Sequence, residues 1–393
     1  MTGIRAVTGD ERLHTAFTLY PYAFDESPAP ADAWRAVLPY HRDNHTLIAE
    51  EDGRTLATAS AFPAHQNLRG TVLRMAGVAW VATHPGARRQ GHSSRLLHRL
   101  HRDLLDGGHL LATLYPFHPS FYERFGYIGL PLNRTATFAP DGLAPLLRAD
   151  LPGEVTWQGI GEGFDSYRAY LRTLLAERHG FTYTPDYRAA RVLDPAAHWL
   201  ATATIEGETV GVLTYRIDGY GGCLRVDELL CSNALGRALL LRFLAQHAYQ
   251  VSRIEVTVGP DEYPETWATG LTVRTEAAAS FPATPPLMAR LLSMDALNGL
   301  SCGPGRVEVE VAGDDLLAGR YTLDGTGGTL AVTPTSRNGK DATLTAAALS
   351  GLAYGTLDPL EAVARGLADL SAEAATALRT LLPARVPHAF GKG

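Results

Sequence analysis

The sequence predicts a multi-domain chain of α/β and α+β type, with two tandem mixed sheets followed by an α+β end. Three observations carry this. Apolar spacing switches repeatedly between a period of two and a period near 3.6, so strands and helices alternate. One order of elements, a hairpin followed by strand, helix and strand, occurs in residues 1–135 and again in 136–286. Finally, Pro282-Ala283-Thr284-Pro285-Pro286 reads as a linker, and 287–393 beyond it form a third unit. A chain of 393 residues is in any case too long for one ordinary core.

In the first unit, Ile4–Val7 reads as a strand, and Phe17, Leu19 and Phe24 as one helix. Asp32 is placed to cap a helix through Trp34, Val37 and Leu38. Asp52-Gly53 turns a hairpin between 46–49 and 55–62. Pro63 to Gly70 reads as a loop, leading to a strand within 71–83. Helix 92–105 follows and stops at Asp106-Gly107-Gly108. A buried strand at 110–114, a short helix at 120–124 and a strand from Tyr127 complete the unit. The second unit has a strand at 134–138, a helix at 164–179, a hairpin at 199–215, a strand at 223–231, a helix at 234–250 and a strand at 253–258. In the third, 287–292, 306–311, 320–323 and 329–333 read as strands, with glycines 325, 327 and 328 in turns. A strand and three helices within 342–382 follow.

Composition excludes several functions. Net charge is −6, so the surface as a whole does not attract nucleic acid or acidic lipid. The three cysteines, Cys223, Cys231 and Cys302, are odd in number and lack metal-ligand spacing. His98 and His101 lie three apart on one helix without a third ligand, so no metal is expected. No signal-peptide core and no apolar run of membrane length is present. These features predict a cytoplasmic protein with free thiols and neither membrane nor nucleic-acid partners.

The chemistry gathers in two places. After the strand at 72–82 comes a cationic turn, Arg88-Arg89-Gln90-Gly91-His92-Ser93, that opens a helix. Unpaired amides at a helix start, two arginines and a glycine form an anion site suited to a polyphosphate. No Gly-Lys-Ser/Thr follows the glycine and no G-x-G-x-x-G occurs there, which excludes a P-loop and a dinucleotide fingerprint. About thirty residues on, Ser120-Phe121-Tyr122-Glu123-Arg124 supplies a phenol. Amine attack on a thioester expels a thiolate, and a phenol within reach can protonate it, so Tyr122 is the candidate acid. Asp25 and Glu26 stand in a loop able to meet an amine, and Phe24, Trp34 and Phe62 are candidates to line its pocket. Asp227 and Glu228 follow strand residues and could attract a substrate amine, but read mainly as solvated or hairpin-capping residues. No cationic glycine turn stands between Cys231 and Leu235, which makes the second unit structural or pocket-shaping.

The pattern Arg88-x-x-Gly91-x-Ser93 after an antiparallel strand resembles the acyl-CoA turn of the GNAT N-acetyltransferases. Residues 77–91 (GVAWVATHPGARRQG) with 120–127 (SFYERFGY) resemble the enhanced intracellular survival (Eis) family of these enzymes. The motif at 342–355 (ATLTAAALSGLAYG) resembles that family's C-terminal domain. The resemblance implies a catalytic GNAT domain, a degenerate GNAT-like domain without cofactor and a sterol-carrier-protein-like domain. It implies acetyl-CoA along Trp80, Val81 and Thr83, with its pyrophosphate on Arg88, Arg89, Gly91, His92 and Ser93. Tyr122 would be the general acid, and the terminal carboxylate, here Gly393, a base or an anchor. The chain departs from the family in placing its aromatic at Phe390 and adding Gly391-Lys392-Gly393. Implied acceptors are amines of a small polyamine-like or aminoglycoside-like molecule, or a lysine side chain, and a homo-oligomer, a hexamer, is implied. Two alternatives stay open. One is a natural-product tailoring acyltransferase with another acyl group or acceptor. The other is a non-catalytic protein that binds CoA or an apolar ligand.

Overall fold

The computed structural model describes residues 2–25, 28, 34–190, 198–336 and 341–389. The first sheet starts with β1 (Gly3–Val7), β2 (His45–Glu51), β3 (Arg54–Leu68) and β4 (Thr71–Thr83), antiparallel neighbours in chain order. The helix His92–Asp106 then carries the chain to β5 (Leu111–Leu114), which is parallel to β4. Its Leu96, Leu97, Leu100 and Leu104 recur at helical spacing and are buried against the sheet. A one-turn helix, Pro119–Glu123, leads to β6 (Ile128–Gly129).

Two expectations fail in this unit. The single helix through Phe17 and Phe24 is a broken series: helix Glu11–His14, a 3-10 turn Ala16–Leu19 and a wide turn Pro21–Asp25. Pro21 supplies no helical N–H there. The expected loop at Pro63–Gly70 is continuous strand up to Leu68. Pro63 pairs with Ala76 of β4 on one side. On its other side β2 stops at Ala61 and the next partner begins at His65. The missing proline N–H therefore falls in a gap between partners and costs no ladder bond.

The second sheet repeats the first. It comprises β7 (Arg134–Phe138), β8 (Glu154–Gly159), β10 (Trp199–Ile205), β11 (Glu208–Ile217), β12 (Cys223–Cys231), β13 (Arg253–Val258) and β14 (Val273–Glu276), while β9 (Thr182–Tyr183) pairs with β3. Helix Ile160–Glu177 precedes β10, and helix Ala234–Ala245 joins β12 to the parallel β13. Strand β15 (Met288–Leu291), expected to open the third unit, instead completes the first sheet between β5 and β6. The strand orders β1-β2-β3-β4-β5-β15-β6 and β8-β10-β11-β12-β13-β7-β14 correspond position by position. Each copy thus donates one strand to the other: β7 leaves the first copy for the second sheet, and β15 returns. There β15 pairs with β5 on one side and β6 on the other, and Met288, Ala289 and Leu291 are buried.

The third unit has a five-stranded sheet of β16 (Arg306–Ala312), β17 (Gly319–Asp324), β18 (Ala331–Pro334), β19 (Ala342–Thr345) and β20 (Ala368–Leu370). Its helix Ala346–Tyr354 is buried along its whole length. A helix apolar all round needs cover on all sides. Residues of the first sheet, including Met75, Leu111 and Leu291, share one core with Val309, Leu344 and Leu352.

Polar groups tie the same seam. The β3–β4 turn places Arg69 in the left-handed region at φ 48°. Its buried guanidinium donates to the carbonyls of Leu352, Ala353 and Pro383, closing the C-terminal end of that helix. The Arg69 N–H donates to His179 Nδ1 at 3.1 Å, and His179 Nε2 donates to the Tyr354 carbonyl at 2.9 Å. Those two bonds fix a neutral imidazole, because a proton on Nδ1 would displace the Arg69 bond. Burial lowers the His179 pKa to about 4, against an ordinary 6.5. The unfolded chain therefore binds this proton first as pH falls. Stability from His179 is full above pH 6.5, declines below it and is exhausted near pH 4, a loss of about 3 kcal/mol. Urea midpoints measured from pH 7.5 to 5 should fall, and His179→Gln should flatten that dependence.

Candidate functional site

The site begins where β4 and β5 part. They pair only at Met75–Gly77 and Leu111–Thr113. Phe62 fills the space at that fork. A Cβ on Gly77 would lie 2.0 Å from the Phe62 ring, so only glycine admits it. Past the fork, β4 carries a bulge. Thr58 of β3 faces Ala82 and Ser60 faces Ala79, so Ala59 alone opposes Trp80 and Val81. Trp80 has φ 57°, which is strained for this residue. The surrounding rings hold it. Tyr20 stacks on it at 4.6 Å, and Phe24 and Trp34 meet it edge-on at 5.2 and 5.8 Å. A bulge frees backbone polar groups from the ladder and turns them toward a ligand.

Beyond the bulge, the strand end and the helix start enclose a pocket of about 330 Å³. Thr83, Arg88, Arg89, Gly91, His92 and Ser93 line it, and so do Phe121 and Arg124. Thr83 Oγ1 and Ser93 Oγ are 2.6 Å apart and clamp strand to helix. Gly91 caps the helix at φ 76° and offers no capping side chain. The first-turn amides thus face the pocket, with the positive end of the helix dipole behind them. The His92 ring is buried, with Gln90 and Arg95 on its two nitrogens, so its share in the pocket is backbone. Arg124 was missed by the sequence reading. It lies over the Phe121 ring at 4.4 Å and brings a third cation from the Tyr122 helix.

On the other side of the fork lies a cavity of about 770 Å³. Val78, Ala79 and Trp80 of β4, Leu114 of β5 and Tyr115 just after it form its first wall. The second copy supplies the opposite one, with Arg168, Arg188, His198, Arg216, Asp227 and Glu228. Arg188 lies 3.5 Å over the Phe62 ring. Asp227 and Glu228, read from sequence as mainly solvated, face this cavity. Glu228 accepts from Tyr167 Oη at 2.6 Å, and burial first, then nearby Asp227, raises its carboxyl pKa. The signal for them lies in their position: Asp227 occupies the bulge of β12, the place matching Trp80 in β4.

Tyr122 is buried among Phe117, Phe121 and Tyr127, at ring distances of 5.5, 5.0 and 6.0 Å. Burial raises its phenol well above the ordinary range, so it is neutral and able to donate. Tyr122 lies in the short helix Pro119–Glu123, and its neighbour Phe121 borders the turn pocket. Tyr115 borders the larger cavity.

The remaining sequence candidates divide. Phe62 lines the cavity, whereas Phe24 and Trp34 brace Trp80 from behind, and Trp34 is buried in a core with Phe17 and Tyr20. Val81 packs on the sheet core. The Asp25 side chain, Glu26 and Gly393 lie outside the described residues. Ala389, the last described position, borders the large cavity. His98 and His101 turn to Asp315 and Tyr127 rather than to each other.

The second copy repeats the fork, and a smaller pocket of about 250 Å³, bordered by Ser232, Asn233 and Arg237, lies at its helix start without a cationic glycine turn. Its helix start is capped by Asn233, whose side chain accepts from the Gly236 N–H at 2.9 Å. Beside it Arg237 is paired with Glu262 at 3.0 Å. The Gly236 amide and the Arg237 guanidinium are thus already engaged within the chain.

Comparison with known proteins agrees with this duplication. Residues 3–128 and 178–291 each match an acetyltransferase (GNAT) domain. N-acetyltransferase Eis of Mycobacterium tuberculosis (strain CDC 1551 / Oshkosh) is 28% identical over 131 residues, 32% of this chain and 31% of that protein. The matched stretch is thus under a third of the relative's length. Eis1 of Mycobacterium abscessus superposes with a TM-score of 0.79 at 20% identity, over 98% of both chains. A probable N-acyltransferase of Enterococcus faecalis V583 does so at 0.81 and 18%, again over 98% of each. These structures share the fold of the entire chain, including its third sheet.

Proposed function

We propose that this chain, with its two acetyltransferase (GNAT) domains, is an acetyl-CoA-dependent N-acetyltransferase that modifies an amine of a small molecule or a lysine side chain. One observation carries the reading. A single bulged strand joins an anion pocket at Thr83 to an acceptor-sized cavity at Val78–Trp80. The uncapped helix at Gly91, beside three arginines, fits a pyrophosphate, whereas the Asn233-capped copy does not.

Bound acetyl-CoA supplies the acyl carbon as a thioester. Arg88, Arg89 and Arg124 hold its phosphates, and the Gly91 turn lets backbone amides approach them. Amides at the Trp80 bulge bind the thioester oxygen, where negative charge develops as the amine attacks. The C–N bond forms, the C–S bond breaks, Tyr122 gives its proton at the departing sulfur, and the proton the amine loses passes to water, from which Tyr122 is reprotonated. Gly393 belongs to this proposal as base or anchor; Ala389, four residues before it, borders the cavity. A sterol-carrier-like third domain, a cytoplasmic location and a homo-oligomer complete the reading.

Thiol release from acetyl-CoA in the presence of an amine panel tests it, and no release with any amine would sink it. The double variant Arg88→Ala/Arg89→Ala is expected to weaken CoA binding by calorimetry at least about tenfold, since charge-assisted hydrogen bonds contribute roughly 1.5–3 kcal/mol each.

A further inference from the structure

The cavity wall built by the second copy carries both signs of charge in close array. Asp227 Oδ2 lies 3.2 Å from His198 Nε2 and 3.6 Å from Arg216 Nε. The second distance is an ion pair without a hydrogen bond. Among the described residues, Arg216 Nε and Asp227 Oδ2 have no hydrogen-bond partner, although both atoms are buried. Buried polar atoms of this kind are uncommon and call for a reason. Of the neighbouring groups, Arg168 and Glu228 are committed. Arg168 donates to Asp186 at 2.9 Å and lies 3.8 Å over the Tyr183 ring. Glu228 accepts from Tyr167 and Thr214. Arg216 keeps 42% of its side-chain surface open, and Asp227 keeps 27%. A loosely joined guanidinium and carboxylate, side by side in a cavity, form a two-signed recognition surface.

Resting on the acyltransfer reading, we propose that this pair recognises a zwitterionic head group. The acceptor is then a compound with an ammonium beside a carboxylate and a second, reacting amine at its far end. The carboxylate takes the Arg216 guanidinium, which suits planar bidentate pairing. The ammonium takes Asp227. The distal amine reaches the Val78–Trp80 wall opposite, where acyl transfer occurs. A polycation would satisfy Asp227 and leave Arg216, with Arg188 and Arg168 lining the same cavity, facing further positive charge.

A matched set of acceptors tests this. L-Lysine has the full head group, cadaverine lacks its carboxylate, and 6-aminohexanoate lacks its α-ammonium. With wild-type protein and acetyl-CoA, lysine is expected to show kcat/KM about tenfold or more above each analogue, through KM. Arg216→Met should raise KM for lysine and leave cadaverine unchanged, at an unaltered thermal midpoint. Asp227→Asn should penalise lysine and cadaverine but spare 6-aminohexanoate. Equal or better turnover of cadaverine or of an aminoglycoside overturns the proposal. So does an Arg216→Met effect that is the same for all three, or no turnover of any of them. The acyltransfer reading itself falls only if CoA binding and thiol release with the wider amine panel also fail.

Discussion

Tyr122→Phe is expected to lower kcat by about 100-fold or more while CoA affinity stays within a few fold, the range typical of a positioned general acid. Single-turnover thiol release and calorimetry with CoA separate the two quantities. The physical basis is the pocket. Burial raises the Tyr122 phenol because the phenolate would lose its water. The same apolar rings, Phe117, Phe121 and Tyr127, would equally penalise a naked thiolate leaving among them. Phenol and thiolate are thus raised together, and proton transfer between them gains from the shared environment. Tyr115 is the internal control, since it borders the large cavity and its phenol is also raised by burial. Tyr115→Phe should change kcat by no more than a few fold. Loss of turnover in Tyr115→Phe with retention in Tyr122→Phe would transfer the acid role to Tyr115.

The difference between those tyrosines shows what the sequence made legible. The anion turn was readable because its chemistry is local: Arg88, Gly91 and Ser93 sit within six residues, between a strand and a helix. The elements themselves were readable from period, as in the buried stripe of Leu96, Leu97, Leu100 and Leu104. What period does not encode is which sheet a strand joins. Met288, Ala289 and Leu291 are apolar and would suit any sheet interior; only the fold reveals the exchange of their strand with β7. The second wall of the large cavity was harder to read for the same reason. Asp227 and Glu228 lie more than a hundred residues from Trp80, and nothing local marks them as facing it. Arg124 stood in view but was read only as part of the Tyr122 helix. Pro63 misled because its tolerance depends on two strand ends in other elements.

The exchange of strands also determines how the molecule should lose its structure. Arg290 on β15 is 2% exposed and ties the first unit to the third. It pairs with Asp314 of the third unit at 3.2 Å, donates to the Phe125 carbonyl beside the Tyr122 helix, and lies 3.5 Å from His101 Nδ1. Asp314 in turn accepts the N–H groups of Leu316 and Leu317 at 2.9 and 3.0 Å. Removing one member leaves the other charge buried, at an expected 3–5 kcal/mol. Asp314→Ala should be the more damaging, because the guanidinium has no route to solvent. The double variant Arg290→Met/Asp314→Ala should cost less than the sum of the singles, since neither charge is then stranded. All five tryptophans, Trp34, Trp80, Trp157, Trp199 and Trp267, lie in the first two units. Their fluorescence is therefore blind to the third unit taken alone. If the three units unfolded independently, Asp314→Ala would leave the tryptophan transition in urea where it was. The shared core and exchanged strands require the opposite result: the Asp314→Ala midpoint read by tryptophan should fall by the full cost of the stranded arginine, in step with circular dichroism.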